Sequence, residues 1–223
     1  EDFPSHTEVS ASRMDRWARG DWQLLPWLFG RGGKSIPFIG RWKMLDNLRR
    51  TLSSPAMLLT LILGWFLPHA PHIYWTLFVI TALVFPLFLP FISGFILHKG
   101  SRRKLSQLRT NLTYDFSIGF QQTILLLSLL MNNAMLMCNA IFRTLYRLFI
   151  SKKKLLEWVT VAQEKTSANL RFSYFFKKYK VTVFFAIVLY VLLALFKTSN
   201  VIILATPFVL LWIMSPVVAW LVS

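Results

Sequence analysis

The chain has 223 residues, of which 55% are apolar and 16% aromatic, and its 25 Lys and Arg outweigh nine Asp and Glu for a formal charge of +16. A mean hydropathy of +0.52 excludes an ordinary water-soluble domain, whose surface must be polar, and points to a membrane protein. It also argues against nucleic acid as the partner, because the basic residues flank long apolar runs in the way that marks the cytoplasmic edges of spanning helices.

The chain opens on Glu1, with no basic-then-apolar leader, and reads as a segment of a longer polypeptide. Ser5 and Glu8 in "PSHTE" have capping-box spacing, which predicts a helix running to about Gly20 or Leu25 and stopped by Pro26. That helix holds "RMDRWARGDWQ", residues 13 to 23, where three arginines, two aspartates and two tryptophans surround one glycine. Arg13, Arg16 and Trp17 stand at i, i+3 and i+4, so two guanidiniums and an indole share a face. Two readings stay open at this point. One is an interfacial helix with an aromatic belt. The other is a sugar-nucleotide site, in which arginines hold a diphosphate leaving group and an indole supplies an apolar plate for a sugar ring.

"FGRGGKS", residues 29 to 35, is a glycine-rich loop that lacks the spacing of a phosphate-cradling loop. "RWKMLDNLRRTL" then places Trp42, Leu45, Leu48 and Leu52 on one face with Arg41, Lys43, Arg49 and Arg50 around them, which predicts a helix lying in the headgroup layer. Four apolar runs are expected to span, residues 52 to 68, 73 to 98, 181 to 196 and 201 to 222. The short connectors "HAPH" and "KTSN" pair them as two hairpins, and Pro86, Pro90 and Pro207 are expected to kink them.

Residues 112 to 150 are nearly long enough to cross as well, but they carry Asn132, Asn133 and Asn139. If they crossed, the cations from Arg143 to Lys180 would face away from Arg102, Arg103, Lys104 and Arg109. If they lie along the interface or re-enter, all Lys and Arg but Lys197 share one side, as the positive-inside rule prefers. The expected organisation is therefore residues 1–50 with interfacial helices, a first hairpin over 51–98, a cytosolic or interfacial region over 99–180 and a second hairpin over 181–223. Both ends are cytoplasmic.

The remaining polar residues have plain expectations. Cys138, the single cysteine, allows no intrachain disulfide and is expected to be a buried, inert thiol. His69 and His72 bracket a turn without partners for a metal. Glu157 is placed to pair with Lys153. Asn132 and Asn133 are expected to bond between helices, and Tyr114, Tyr146, Tyr174 and Tyr179 to anchor at the interface.

Arg13-x-x-Arg16-Trp17 resembles the [Q/R]xxRW signature of processive family-2-type glycosyltransferases. The wider string "DFPSHTEVSASRMDRWARGDWQLLPWL", with "RWKMLDNLRR", "KLLEWVTVAQ" and "SPVVAWLVS", looks more narrowly like the cyclic β-1,2-glucan synthase family. The resemblance implies an all-α membrane segment of four transmembrane helices following the end of a GT-A-type transferase domain, in the bacterial inner membrane. It implies transfer of glucose from UDP-glucose to a growing glucan, with Arg16 and Trp17 at the diphosphate and acceptor sugar and Arg13 in the variable first position. Arg19, Asp21, Trp22 and Gln23 would support the substrate site.

The Mg2+ or Mn2+ of such enzymes sits on a DxD motif upstream of the arginines, and this chain contains no DxD. Glu1-Asp2 resembles the acidic base motif but lies close to the arginines for that role. The segment is thus expected to need the upstream part of the same polypeptide and to be inactive alone. A transporter or membrane scaffold is the alternative, although no Asp, Glu, Lys or Arg falls inside the four spans, where ion-coupled transporters keep one.

Overall fold

The computed structural model describes residues 6–29, 36–68, 71–97, 105–153 and 171–223. Among these every regular element is helical: α1 (Thr7–Gln23), α2 (Leu25–Phe29), α3 (Phe38–Phe66), α4 (His72–Leu97), α5 (Leu105–Tyr146, continued by a π-helical turn Arg147–Ser151), α6 (Phe172–Phe196), α7 (Ser199–Ile213) and α8 (Ser215–Leu221). This is the expected all-α membrane architecture. His69, Glu157, Glu1-Asp2, Ser5 and most of the glycine-rich loop lie outside the described residues.

The amphipathic stretch and the first expected span are one helix, α3, which continues through Pro55 with the loss of a single N–H donor. Its apolar half is shorter than the ~20 residues that cross a bilayer unaided and includes Ser53, Ser54 and Thr60. By length and composition the helices able to cross are instead His72–Ser93, Leu112–Ser151, Phe172–Phe196 and, taken as one bent span, α7 with α8. The stretch expected to lie flat or re-enter is thus a continuous helix without a reversal, since its asparagines are diluted by leucine and methionine on either side. Pro86, Pro90 and Pro207 lie within continuous helices. The bend of 48° falls between α7 and α8, just before Pro216.

Two turns close the bundle at one end. At the α3–α4 corner Trp65 Nε1 donates to Thr76 Oγ1 at 3.1 Å, and His72 Nδ1 donates to the Gly64 carbonyl at 2.6 Å. His72 therefore serves the turn. Lys197, at the α6–α7 turn, donates to the Phe66 carbonyl at 2.7 Å and so joins the two turns. Gly64 is required by proximity, because a Cβ there would lie 2.6 Å from Trp75 Cβ. Gly64→Ala is expected to force the two helices apart at a cost of about 1–3 kcal/mol. Its check is the melting temperature in detergent beside Gly40→Ala, whose added Cβ meets only the Ile36 side chain.

Between the turns and α1 lies the apolar core. Trp65 and Trp212, both fully buried, meet at 6.2 Å between ring centroids, with Phe208 against Trp65 at 5.6 Å. Ala186 and Ala205, with no exposed surface, let α6 and α7 approach closely. Trp212 Nε1 donates to the Leu127 carbonyl of α5 at 3.1 Å, and Thr182 Oγ1 donates to Asn132 Oδ1 at 3.3 Å, the interhelical role expected of that amide. Tyr179 is buried against Phe175 and Ala219 and is a core residue, contrary to its expected place as an anchor, whereas Tyr114 and Tyr146 are exposed. Cys138 is only half-buried.

Candidate functional site

At the end of the bundle opposite the two turns lies α1. Its first turn is tied to the end of the chain, where His6 Nδ1 donates to the Ser223 carbonyl at 2.6 Å and Thr7 Oγ1 bonds Ala219 and Ser223. No side chain caps it; Glu8, expected in a capping box, instead accepts from the Tyr174 hydroxyl and from Lys178 Nζ at 3.3 Å, both on α6. Along its inner side Ala18 packs without exposed surface on Met137 and Ala140 of α5. Small residues on both helices bring the backbones together, and this closeness holds α1 beside α5.

Polar contacts fix its rotation. Asp15 accepts from Arg143 Nη2 at 2.9 and 3.2 Å, bridging α1 to α5, and forms an ion pair with Arg19 of its own helix, Nε 3.0 Å away. At the far end of α1 the Trp22 indole donates to Thr51 Oγ1 at 2.8 Å, and the Asn47 amide donates to Asp21 at 3.1 Å, both on α3. Arg19, Asp21 and Trp22, expected as supporting groups, thus spend these atoms on the neighbouring helices and on Asp15. Gln23 is half-buried at the end of the helix.

With those residues turned inward, the opposite face of α1 is open. The Arg13 guanidinium carbon lies 4.2 Å from the centroid of the Trp17 ring, and Trp17 keeps 55% of its surface. A guanidinium over an indole at this separation gains about 0.5–1 kcal/mol at an exposed site and presets the ring's orientation. Arg16, half-buried, follows Arg13 by three residues, and Gly20 one turn on has nothing within 4 Å of the place its Cβ would take. The expected trio is therefore on one side of one helix, with the exposed indole of Trp17 next to positive charge. Such a surface can receive an anionic group and the C–H face of a sugar together.

Burial holds the Asp21 carboxyl above its ordinary value, with the Asn47 hydrogen bond and the Arg50 charge opposing the shift. A raised carboxyl value in the fold means that Asp21's stabilising contribution is present in acid, below the unfolded value, and is lost as pH rises through the folded one. At neutral pH the charge is a burden. Asp21→Asn is expected to leave the melting temperature at pH 7 unchanged or higher and to lower it relative to wild type near pH 4. A fall at pH 7 would mean that the Asn47 bond outweighs the burial.

Sequence reading missed Asp15 and its partner Arg143, and Glu8 with Tyr174. An acid inside a motif dense in arginine was the available signal, but the partners lie 128 and 166 residues away. Among the described residues no three His, Cys, Asp or Glu side chains gather as a metal would require.

An apolar helical bundle that carries a polar helix across one end has the architecture of an all-α membrane protein. No family model matches the chain. It is 39% identical over 225 aligned positions to the cyclic β-(1,2)-glucan synthase NdvB of Rhizobium meliloti (strain 1021), a match that covers 100% of this chain and 8% of that protein. By this identity over its whole length the chain is related to the cyclic β-1,2-glucan synthase family.

Proposed function

We propose that this chain is the membrane-embedded portion of a processive glycosyltransferase that builds a β-1,2-linked, cyclic glucan from UDP-glucose, and that α1 supplies its leaving-group and acceptor contacts. The observation that carries the reading is the stack of Arg13 on the exposed Trp17 ring of α1, with Arg16 on the same side of the helix. Arg16 neutralises the charge that grows on the diphosphate as the glycosyl bond breaks, Trp17 bears the acceptor sugar, and Arg13 holds the indole in place. Relatedness to a cyclic β-(1,2)-glucan synthase over the whole chain supports this assignment.

Topology supports it too. His6 and Thr7 bond to Ala219 and Ser223, so both described ends are on one side of the bundle and the number of crossings is even. Two hairpins, α3 with α4 and α6 with α7 and α8, satisfy that count, since their turns meet at Lys197 and Phe66 on the other side; in this reading α3 crosses despite its short apolar half, and α5 does not cross despite having the length and composition to do so. Toward its C-terminal end α5 meets α1 at Ala140 and Arg143, and its middle, at Leu127 and Asn132, bonds Trp212 and Thr182 of the second hairpin. The α1 side is cytoplasmic and the bilayer is the inner membrane, which places nearly all Lys and Arg inside. Mg2+ or Mn2+, the nucleotide pocket and the general base are assigned to the upstream part of the polypeptide. The test is incorporation of labelled glucose from UDP-glucose into glucan by a full-length synthase carrying this segment, with and without Arg16→Ala.

A further inference from the structure

The C-terminal end of α5 leaves a row of large apolar side chains uncovered. Phe142 and Tyr146, one turn apart, keep 71% and 56% of their surface, and Phe149 and Ile150 on the following π-helical turn keep 61% and 69%. Lys152, whose backbone turns left-handed at φ 51°, closes the helix with an N–H bond to the Arg147 carbonyl at 2.8 Å, and exposed Lys153 follows it. Arg143, within the same turns, grips Asp15 of α1, so the row lies on the α1 side of the bundle. No Asp or Glu occurs between Asp115 and Glu157.

Such an uncovered row needs a partner, because a soluble surface does not keep so large a contiguous apolar patch. The apolar part is continuous in kind with the exposed Phe172 and Phe176 at the start of α6, which face outward from the bundle at the same side through Tyr174 and its bond to Glu8. Phe38 and Trp42 on α3, exposed by 81% and 59%, stand beside a second basic group, Arg41 and Lys43. Aromatic rings bounded by an excess of cations match a boundary whose depth is hydrocarbon and whose surface is anionic.

We propose that the end of α5 is a docking surface for an anionic phospholipid leaflet: Phe142, Tyr146, Phe149 and Ile150 enter the acyl layer while Lys152 and Lys153 bind phosphate headgroups. The surface stands on its own geometry, independent of any sugar chemistry.

The experiment uses a full-length synthase with a benzophenone side chain at position 149, reconstituted in nanodiscs of phosphatidylcholine with or without phosphatidylglycerol and irradiated. Buried Phe208, already an aromatic ring in the core, is the control position and should yield protein crosslinks only. The expected product at 149 is a lipid adduct, about fivefold more abundant with phosphatidylglycerol present. Lys152→Gln with Lys153→Gln should abolish that preference and leave adducts to either lipid. Crosslinks to polypeptide, no adduct at all, or equal yields from the two bilayers would overturn the proposal. The readout does not depend on glucose transfer, so it can fail or hold apart from the transferase reading.

Discussion

Arg16→Ala in a full-length synthase is expected to lower glucose incorporation on the order of a hundredfold or more. The negative charge on a departing diphosphate grows between ground and transition state, so a guanidinium placed for it contributes more to kcat than to binding of UDP-glucose. Arg16→Lys should recover only part of the activity, because an ammonium lacks the two-pronged fit to phosphate oxygens. Arg16 is half-buried on a helix held at both ends by other residues, so the variant should fold. Normal activity in a stable Arg16→Ala protein would remove the arginine from the reaction and leave α1 as an interfacial helix.

The second large effect is expected at Asp15. Its carboxylate, 19% exposed, receives Arg19 and Arg143, whose side chains are 16% and 38% exposed. Asp15→Ala leaves the two guanidiniums with their shared counter-charge gone. The penalty for uncovering partly buried charge, reduced for the solvent that reaches Arg143, is about 2 kcal/mol. Measured as melting in detergent, Asp15→Ala and Arg143→Ala should each destabilise, and the double variant should cost about 1 kcal/mol or more less than their sum. Because α1 would lose its fixed rotation on α5, activity should fall roughly tenfold through kcat even though Arg13, Arg16 and Trp17 are unchanged. Additive effects would show that the pair carries no shared energy.

The difference between these two residues reflects what a linear chain reveals. That Arg13, Arg16 and Trp17 share a side of α1 was legible because helical spacing is local: positions three and four apart meet on any α-helix, and Arg13 does stack on Trp17. The two hairpin turns were legible for a similar reason, as a few polar residues between apolar runs leave little choice but a return. Asn132 could be expected to seek a partner on another helix because an amide among apolar neighbours has few other options, and it meets Thr182.

What hydropathy by itself determined was a helical membrane protein, because the cost of placing charge or an unpaired backbone group in hydrocarbon is paid residue by residue. Only the tertiary structure decided that α3 runs unbroken from its basic half into the bundle, that the last span bends at Met214, and that Asp15, Glu8 and Trp22 serve as the fasteners of α1. Each of those outcomes depends on a partner far away in sequence or on a packing angle, and neither leaves a periodic trace in the chain.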